Sequence, residues 1–217
     1  MPSLRGAVNQ AMAICWDEGY GYRLGGTARS HADGVDCSGL INRVLHDNGF
    51  SYPASHVGTK NMKPKLKAAG FKIKVVSSKA QLASLIQPGD IVVMNHYPAG
   101  EGGHTFIYME DVEAYTDYQA YSANKNIVHK VKVEAASSRG ETAQGDHRRG
   151  GTGAYWEVWV HAYYELCPNY DPSDPNDEVY IAHWPGGLDG GGIDVLTLKR
   201  YIDRNFGRID NATTMLP

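Results

Sequence analysis

Apolar residues in the first part of the chain recur at intervals of three and four positions, the spacing of one face of an α-helix. The pattern predicts four helices, whose ends coincide with residues that favour helix termini. They are a helix that starts at Leu4 after the cap Ser3 and ends near Gly19, one that runs from Cys37 to a stop at Gly49, one over residues 59–69, and a short one over residues 79–86.

Strand patterns dominate the later part of the chain. Short apolar or alternating runs bounded by turn residues predict strands over residues 71–76, 91–94, 104–109, 118–123, 127–134 and 156–164. Because helices come first and strands later, we expect an α+β fold with a mainly antiparallel sheet.

The composition changes near residue 166. Residues 168–177 are acidic and punctuated by proline, which is typical of a linker, and residues 193–206 form one amphipathic helical pattern. We therefore expect a main domain over residues 1–166 and an acidic, proline-rich linker with a helical extension over residues 167–217. The extension would either dock on the main domain, lead into a separate binding module, or mediate self-association.

Charge and cysteine content narrow the class of protein. A formal net charge of -3 gives no basic field for nucleic acid. The three cysteines, Cys15, Cys37 and Cys167, include no C-x-x-C pair, so we predict no metal site, no disulfide framework and no cofactor. The chain shows neither a membrane-spanning apolar stretch nor a signal-peptide pattern, and we expect synthesis in the cytoplasm.

Cys37 is the candidate nucleophile. It follows Asp36, a natural helix N-cap, at the start of an apolar helical periodicity. The unsatisfied N–H groups and the positive dipole end of a helix start favour a thiolate over a thiol. The position therefore predicts a reactive cysteine.

A cysteine nucleophile needs a base, and His104 is the best placed of nine histidines. It opens a predicted strand directly after Gly102 and Gly103, which leave room for a substrate backbone. We interpret six others as ordinary surface or hydrogen-bonded residues: His31, His46, His56, His96, His147 and His183.

These residues belong to blocks that resemble the NlpC/P60 cysteine peptidases. The blocks are residues 22–26 (Tyr-Arg-Leu-Gly-Gly), 36–40 (Asp-Cys-Ser-Gly-Leu), 87–91 (Gln-Pro-Gly-Asp-Ile) and 103–108 (Gly-His-Thr-Phe-Ile-Tyr). Further blocks at residues 7–11, 59–62, 69–71 and 144–146 resemble the phage peptidoglycan hydrolase branch. The resemblance covers about residues 7–165.

The resemblance implies a papain-like α+β fold in which Cys37 is the nucleophile and His104 the base. It also implies a third polar residue on the strand after the histidine. Gln119 is our choice for this residue, and Asn124 and His129 are the alternatives.

The resemblance further implies that Asp36 and Ser38 contact a polar end of the substrate, although Asp36 is equally explained as the helix N-cap. The Cys37 backbone N–H is a natural oxyanion donor, and the Tyr22 hydroxyl is placed to assist it.

The implied substrate is bacterial peptidoglycan, and the implied function is that of a phage endolysin acting at the cell wall. Two cleavage sites are open: an endopeptidase cut next to a D-glutamyl residue, which we favour, and an amidase cut between muramic acid and L-alanine. A different class also stays open, an inactive wall-binding or phage tail protein on the same fold.

Overall fold

The computed structural model describes residues 1–16, 22–30, 32–97, 102–113, 128–136, 157–163 and 170–188. Four helices and six strands occur in this part of the chain. In chain order they are α1 (Leu4–Trp16), α2 (Cys37–Asp47), α3 (Thr59–Ala68), β1 (Lys72–Val76), α4 (Lys79–Leu85), β2 (Ile91–His96), β3 (Gly103–Glu113), β4 (Val128–Ala136), β5 (Glu157–Tyr163) and β6 (Asp177–His183).

The six strands form one antiparallel sheet in the order β1-β6-β2-β3-β4-β5. A register shift interrupts the β3–β4 pairing between Tyr108 and Glu110. Three helices precede the first strand, and α1 and α2 contact the sheet through β3, β4 and β5. The expected α+β fold with an antiparallel sheet is confirmed.

The start of α1 and the end of α2 agree with their capping residues. The Ser3 hydroxyl accepts a hydrogen bond from the Gly6 N–H at 3.0 Å, which satisfies a donor in the first turn of α1. Gly49, just past the end of α2, has a φ of +81°, a conformation that glycine adopts without strain. Local sequence signals therefore set where α1 begins and where α2 ends.

Two apolar cores lie on opposite faces of the sheet, because side chains alternate along a strand. Ile91 and Val93 pack with α1, α2 and α3 in the larger core. Val92, Phe106 and Ile181 belong to the smaller core, which includes Leu82 of α4. Residues from β2, β3 and β6 occur in both cores, so these strands are the centre of the fold.

The boundary expected at residue 166 does not match the sheet. β6 pairs with β1 on one side and with β2 on the other, and its residues 179–182 are buried. The acidic segment before it ends in turns that lead directly into β6. The linker and extension were the wrong interpretation for residues 177–188, because four consecutive apolar residues there fill a central strand position.

Two other predicted elements, the strand over residues 118–123 and the helix over residues 193–206, fall outside the part of the chain that the structure describes. Among the described helices, none is both long and apolar enough to cross a bilayer.

A core substitution in β6 tests whether this strand belongs to the main fold. We expect Ile181→Ala to lower the free energy of unfolding by about 2 to 5 kcal/mol, because it empties a site that is 2% exposed. Val75→Ala, at a 48% exposed position of β1, should change it by no more than about 0.5 kcal/mol. Denaturant unfolding followed by circular dichroism measures the free energy of unfolding of both variants. If both substitutions changed it by the same small amount, β6 would lie outside the cooperative folding unit.

Candidate active site

The start of α2 is organised by the buried carboxylate of Asp36. One oxygen, Oδ1, accepts the Gly39 N–H at 2.6 Å and the Ser38 hydroxyl at 3.0 Å. The other, Oδ2, accepts the Gly25 N–H at 2.7 Å. Asp36 therefore caps the helix and also fixes the glycine-rich loop against it, which sets the position of Cys37.

The glycine-rich loop that contains Gly25 and Gly26 lies so close to α2 that a side chain at position 39 would not fit between them. A Cβ on Gly39 would lie 1.8 Å from the Gly26 carbonyl oxygen, and the Asp36 N–H donates to that same oxygen at 3.2 Å. Asp33 holds the next turn by accepting from the Thr27 N–H and hydroxyl. The loop consequently has a defined shape beside the cysteine.

Cys37 meets His104 where α2 contacts β3. Cys37 is 7% exposed, and its side chain is close enough to His104 to help raise the pKa of the imidazole. His104 is held in register by pairing with Met94 of β2. At the neighbouring position, only glycine fits. A Cβ on Gly103 would lie 1.9 Å from the Thr59 hydroxyl at the start of α3. The two residues that the sequence selected as nucleophile and base are thus in contact.

A second acid–base contact lies on the other side of His104. The Glu134 carboxylate of β4 lies 2.6 Å from His104 Nε2. Its Oε2 also pairs with the Lys132 ammonium at 3.0 Å, and Lys132 in turn lies 4.6 Å above the ring of Phe106. Both Lys132 and Glu134 have side chains only 4% exposed, so this is a buried charge network attached to the site.

The network sets the charge of His104. Burial alone would lower the pKa of the imidazole, but the negative charge of Glu134 and the hydrogen bonds to Cys37 and Glu134 raise it to about 10. His104 is therefore an imidazolium at neutral pH, beside the sulfur of Cys37.

Glu134 contacts His104 Nε2, and Gln119, the sequence-based choice for the third polar residue, stays a prediction. Gln119 and Asn124 lie outside the described residues, and for His129 the structure describes the backbone in β4 but not the side chain. The available signal was the alternation of residues 127–134, which placed Glu134 on a strand. What it did not show was that this strand pairs with β3.

An open cleft of about 470 Å³ lies beside Cys37. Tyr22, Asp36, Ser38, His56 and Gly103 are among its lining residues. The predicted substrate-contacting residues Tyr22, Asp36 and Ser38 are thus brought together at the nucleophile. His56, which the sequence interpretation treated as ordinary, lies among them.

Tyr22 keeps its proton across the physiological range. Burial, and then the negative charges of Cys37 and Asp36, raise the pKa of its phenol above the ordinary value. The hydroxyl therefore keeps a hydrogen that it can donate.

In the described ranges, no group of three or more His, Cys, Asp or Glu side chains is arranged to hold an ion.

Helices packed on an antiparallel sheet, with a cysteine at a helix start facing a strand histidine, form the papain-like arrangement. The model of the NlpC/P60 family matches residues 19–146, more than half of the chain. The chain belongs to the NlpC/P60 family, whose members are mostly cysteine peptidases of the cell wall. No curated protein and no solved structure matches the chain.

The charge of His104 can be tested through Glu134. Glu134→Gln removes the negative charge while keeping a hydrogen-bonding group, so we expect the His104 pKa to fall below its value of about 10. Because the pKa of His104 is higher in the folded than in the unfolded protein, protonated His104 stabilises the fold. This stabilisation is complete below the unfolded pKa of about 6.5 and is lost as the pH rises towards 10. The parent should therefore lose more unfolding free energy than Glu134→Gln between pH 6.5 and 10.

NMR of the histidine ring resonances across this pH range measures the titration directly. Glu178→Gln is the matched control, because Glu178 pairs with Lys63 at the surface and not with His104. A His104 titration that is identical in the parent and Glu134→Gln would contradict the role of the Glu134 charge.

Proposed function

We propose that this protein is a cysteine peptidoglycan hydrolase that cleaves an amide bond in the stem peptide of the bacterial cell wall. The observation that carries the proposal is the chain of contacts from Cys37 through His104 to Glu134, beside an open cleft. A nucleophile, a base and a group that orients the base are the three parts that thiol hydrolysis requires.

Acylation begins from the state in which the thiol proton of Cys37 has moved to the His104 ring. The Cys37 sulfur attacks the carbonyl carbon of the scissile amide and forms a tetrahedral intermediate. His104 then donates its proton to the leaving nitrogen, the C–N bond breaks, and the acyl group stays on Cys37 as a thioester. The amine product carries that proton away.

Deacylation reverses the proton movement. Neutral His104 takes a proton from a water molecule, whose oxygen attacks the thioester carbon. The C–S bond breaks, the new carboxylic acid leaves, and the proton remains shared between Cys37 and His104. Glu134 orients the ring and stabilises its charged form in both halves of the reaction.

Oxyanion stabilisation comes from the start of α2. The Cys37 backbone N–H lies in the first helical turn, where no intrahelical acceptor exists, and the protonated Tyr22 hydroxyl lines the same cleft. Together they supply two donors for the developing negative charge.

The finer assignment is an endolysin of phage origin that acts at the wall as an endopeptidase next to a D-glutamyl residue. It rests on the blocks at residues 7–11, 59–62, 69–71 and 144–146, which resemble the phage branch. The second candidate is an N-acetylmuramoyl-L-alanine amidase that uses the same residues, since both reactions are amide hydrolyses. An inactive wall-binding protein is disfavoured by the contact between Cys37 and His104.

Replacing the nucleophile tests the catalytic assignment. We expect Cys37→Ala to reduce the rate of wall solubilisation by at least about 10³-fold, because the thioester can no longer form. Cys167→Ser removes a thiol elsewhere in the chain and should keep the parent rate. Turbidity loss of purified cell walls is the readout, and parental activity in Cys37→Ala would exclude Cys37 as the nucleophile.

The bond that is cut can be identified by mass spectrometry of the digested wall. An endopeptidase should release fragments with a new amino terminus on the residue after D-glutamate. Glycan strands free of peptide would instead establish the amidase. Intact muropeptides after prolonged digestion would favour the inactive wall-binding class.

A further inference from the structure

Two of the exposed side chains that line the cleft, His56 and Lys60, carry basic groups. Asp36 is the acidic residue among those lining the cleft, and its side chain is only 3% exposed. His56, whose side chain is 32% exposed, lies in front of it, and the exposed Lys60 lines the same cleft. A substrate entering the cleft therefore meets the imidazole of His56 and the ammonium of Lys60 before it meets the Asp36 carboxylate.

The acceptor capacity of Asp36 is already used. Its two oxygens accept from the Gly39 N–H, the Ser38 hydroxyl and the Gly25 N–H, and His56 Nε2 lies 2.9 Å from Oδ2. Each oxygen thus has two donors, as many as its lone pairs accommodate. A substrate group could reach Asp36 only by displacing one of them.

The hydrogen bonds of His56 to the described residues all involve one of its two ring nitrogens. Nε2 lies between Asp36 Oδ2 and the Ser38 hydroxyl oxygen, at 2.9 and 3.0 Å. Because the Ser38 proton is donated to Asp36, both neighbours are acceptors and Nε2 carries a hydrogen. Nδ1 is the other functional atom, and no described residue forms a hydrogen bond with it.

This arrangement is not a second Ser-His-Asp nucleophile. Such a triad uses one ring nitrogen for the serine and the other for the carboxylate, whereas Ser38 and Asp36 both contact Nε2 here. The group serves to hold the His56 ring in one orientation, with its second nitrogen directed away from Asp36.

We infer, on the basis of the proposed function, that His56 determines specificity by binding a carboxylate of the stem peptide. When a substrate carboxylate binds, the His56 ring lies between that carboxylate and Asp36. The ring then carries a hydrogen on each nitrogen and donates one hydrogen bond to each carboxylate. Lys60 adds a second positive charge at the same wall. α3 also starts there, after Gly58, without a side chain that caps its first turn.

Two synthetic stem peptides that differ at one group test the inference. One carries a free α-carboxylate on the glutamyl residue and the other a carboxamide. We expect the parent to cleave the carboxylate peptide with a kcat/KM about tenfold higher, the effect of one charge-assisted hydrogen bond. In His56→Gln, whose amide can still donate to Asp36, the ratio should fall to near one through slower cleavage of the carboxylate peptide.

His183→Gln is the matched control. His183 is 33% exposed and bonds the Asp90 carboxylate at 2.8 Å, as His56 bonds Asp36, but it is not among the cleft-lining residues. Its peptide ratio should equal that of the parent. Thermal unfolding of both variants establishes that they are folded during the assay.

An unchanged ratio in His56→Gln, or a parent that does not distinguish the peptides, would overturn the inference while the hydrolase assignment stands. The inference would also be overturned if acetylating the amino terminus of the peptide lowered kcat/KM more than replacing the glutamyl carboxylate with a carboxamide. If neither peptide is cleaved, calorimetric binding of both to Cys37→Ala decides the question. A carboxylate preference that His56→Gln abolishes would then support the role of His56 although the proposed function had failed.

Discussion

The site depends on one buried carboxylate at the junction of a loop and a helix. Asp36 accepts from two backbone N–H groups, a hydroxyl and an imidazole, and it is 2% exposed. A buried carboxylate with fewer donors would cost several kcal/mol, so these four contacts are mutually required. Through them Asp36 fixes the start of α2, the path of the glycine-rich loop and the orientation of His56.

The sheet supplies the other half of the site. β3 brings His104 to the start of α2, and Gly103 permits the close approach of α3. β4 then places Glu134 behind the imidazole, with Lys132 beside it. A helix start and a sheet each hold one reacting group rigidly, which is the geometry that preorganised catalysis needs.

Features that arise from local sequence were predictable. The cap at Asp36, the position of Cys37 at the start of a helix and the strand that begins near His104 follow from short motifs and from periodicity, because caps and turns are satisfied by residues a few positions away. The four described helices and five of the six described strands were expected on these grounds.

Features that arise from pairing between distant segments were not predictable in the same way. Glu134 lies 30 residues from His104, and no local pattern states that their strands are neighbours. β6 enters the sheet between β1 and β2 after an acidic segment that looked like a linker. His56 reaches Asp36 through an irregular loop, where the sequence carries no periodicity.

The most direct test of the central claim relates wall hydrolysis to the chemical state of Cys37. Graded alkylation with iodoacetamide, followed by peptide mass spectrometry, gives the modified fraction of Cys37 separately from Cys15 and Cys167. We expect residual wall-hydrolysing activity to fall linearly to zero as Cys37 becomes fully alkylated. Activity that persists when Cys37 is fully alkylated, or that disappears while it is unmodified, would contradict the assignment of this thiol as the nucleophile.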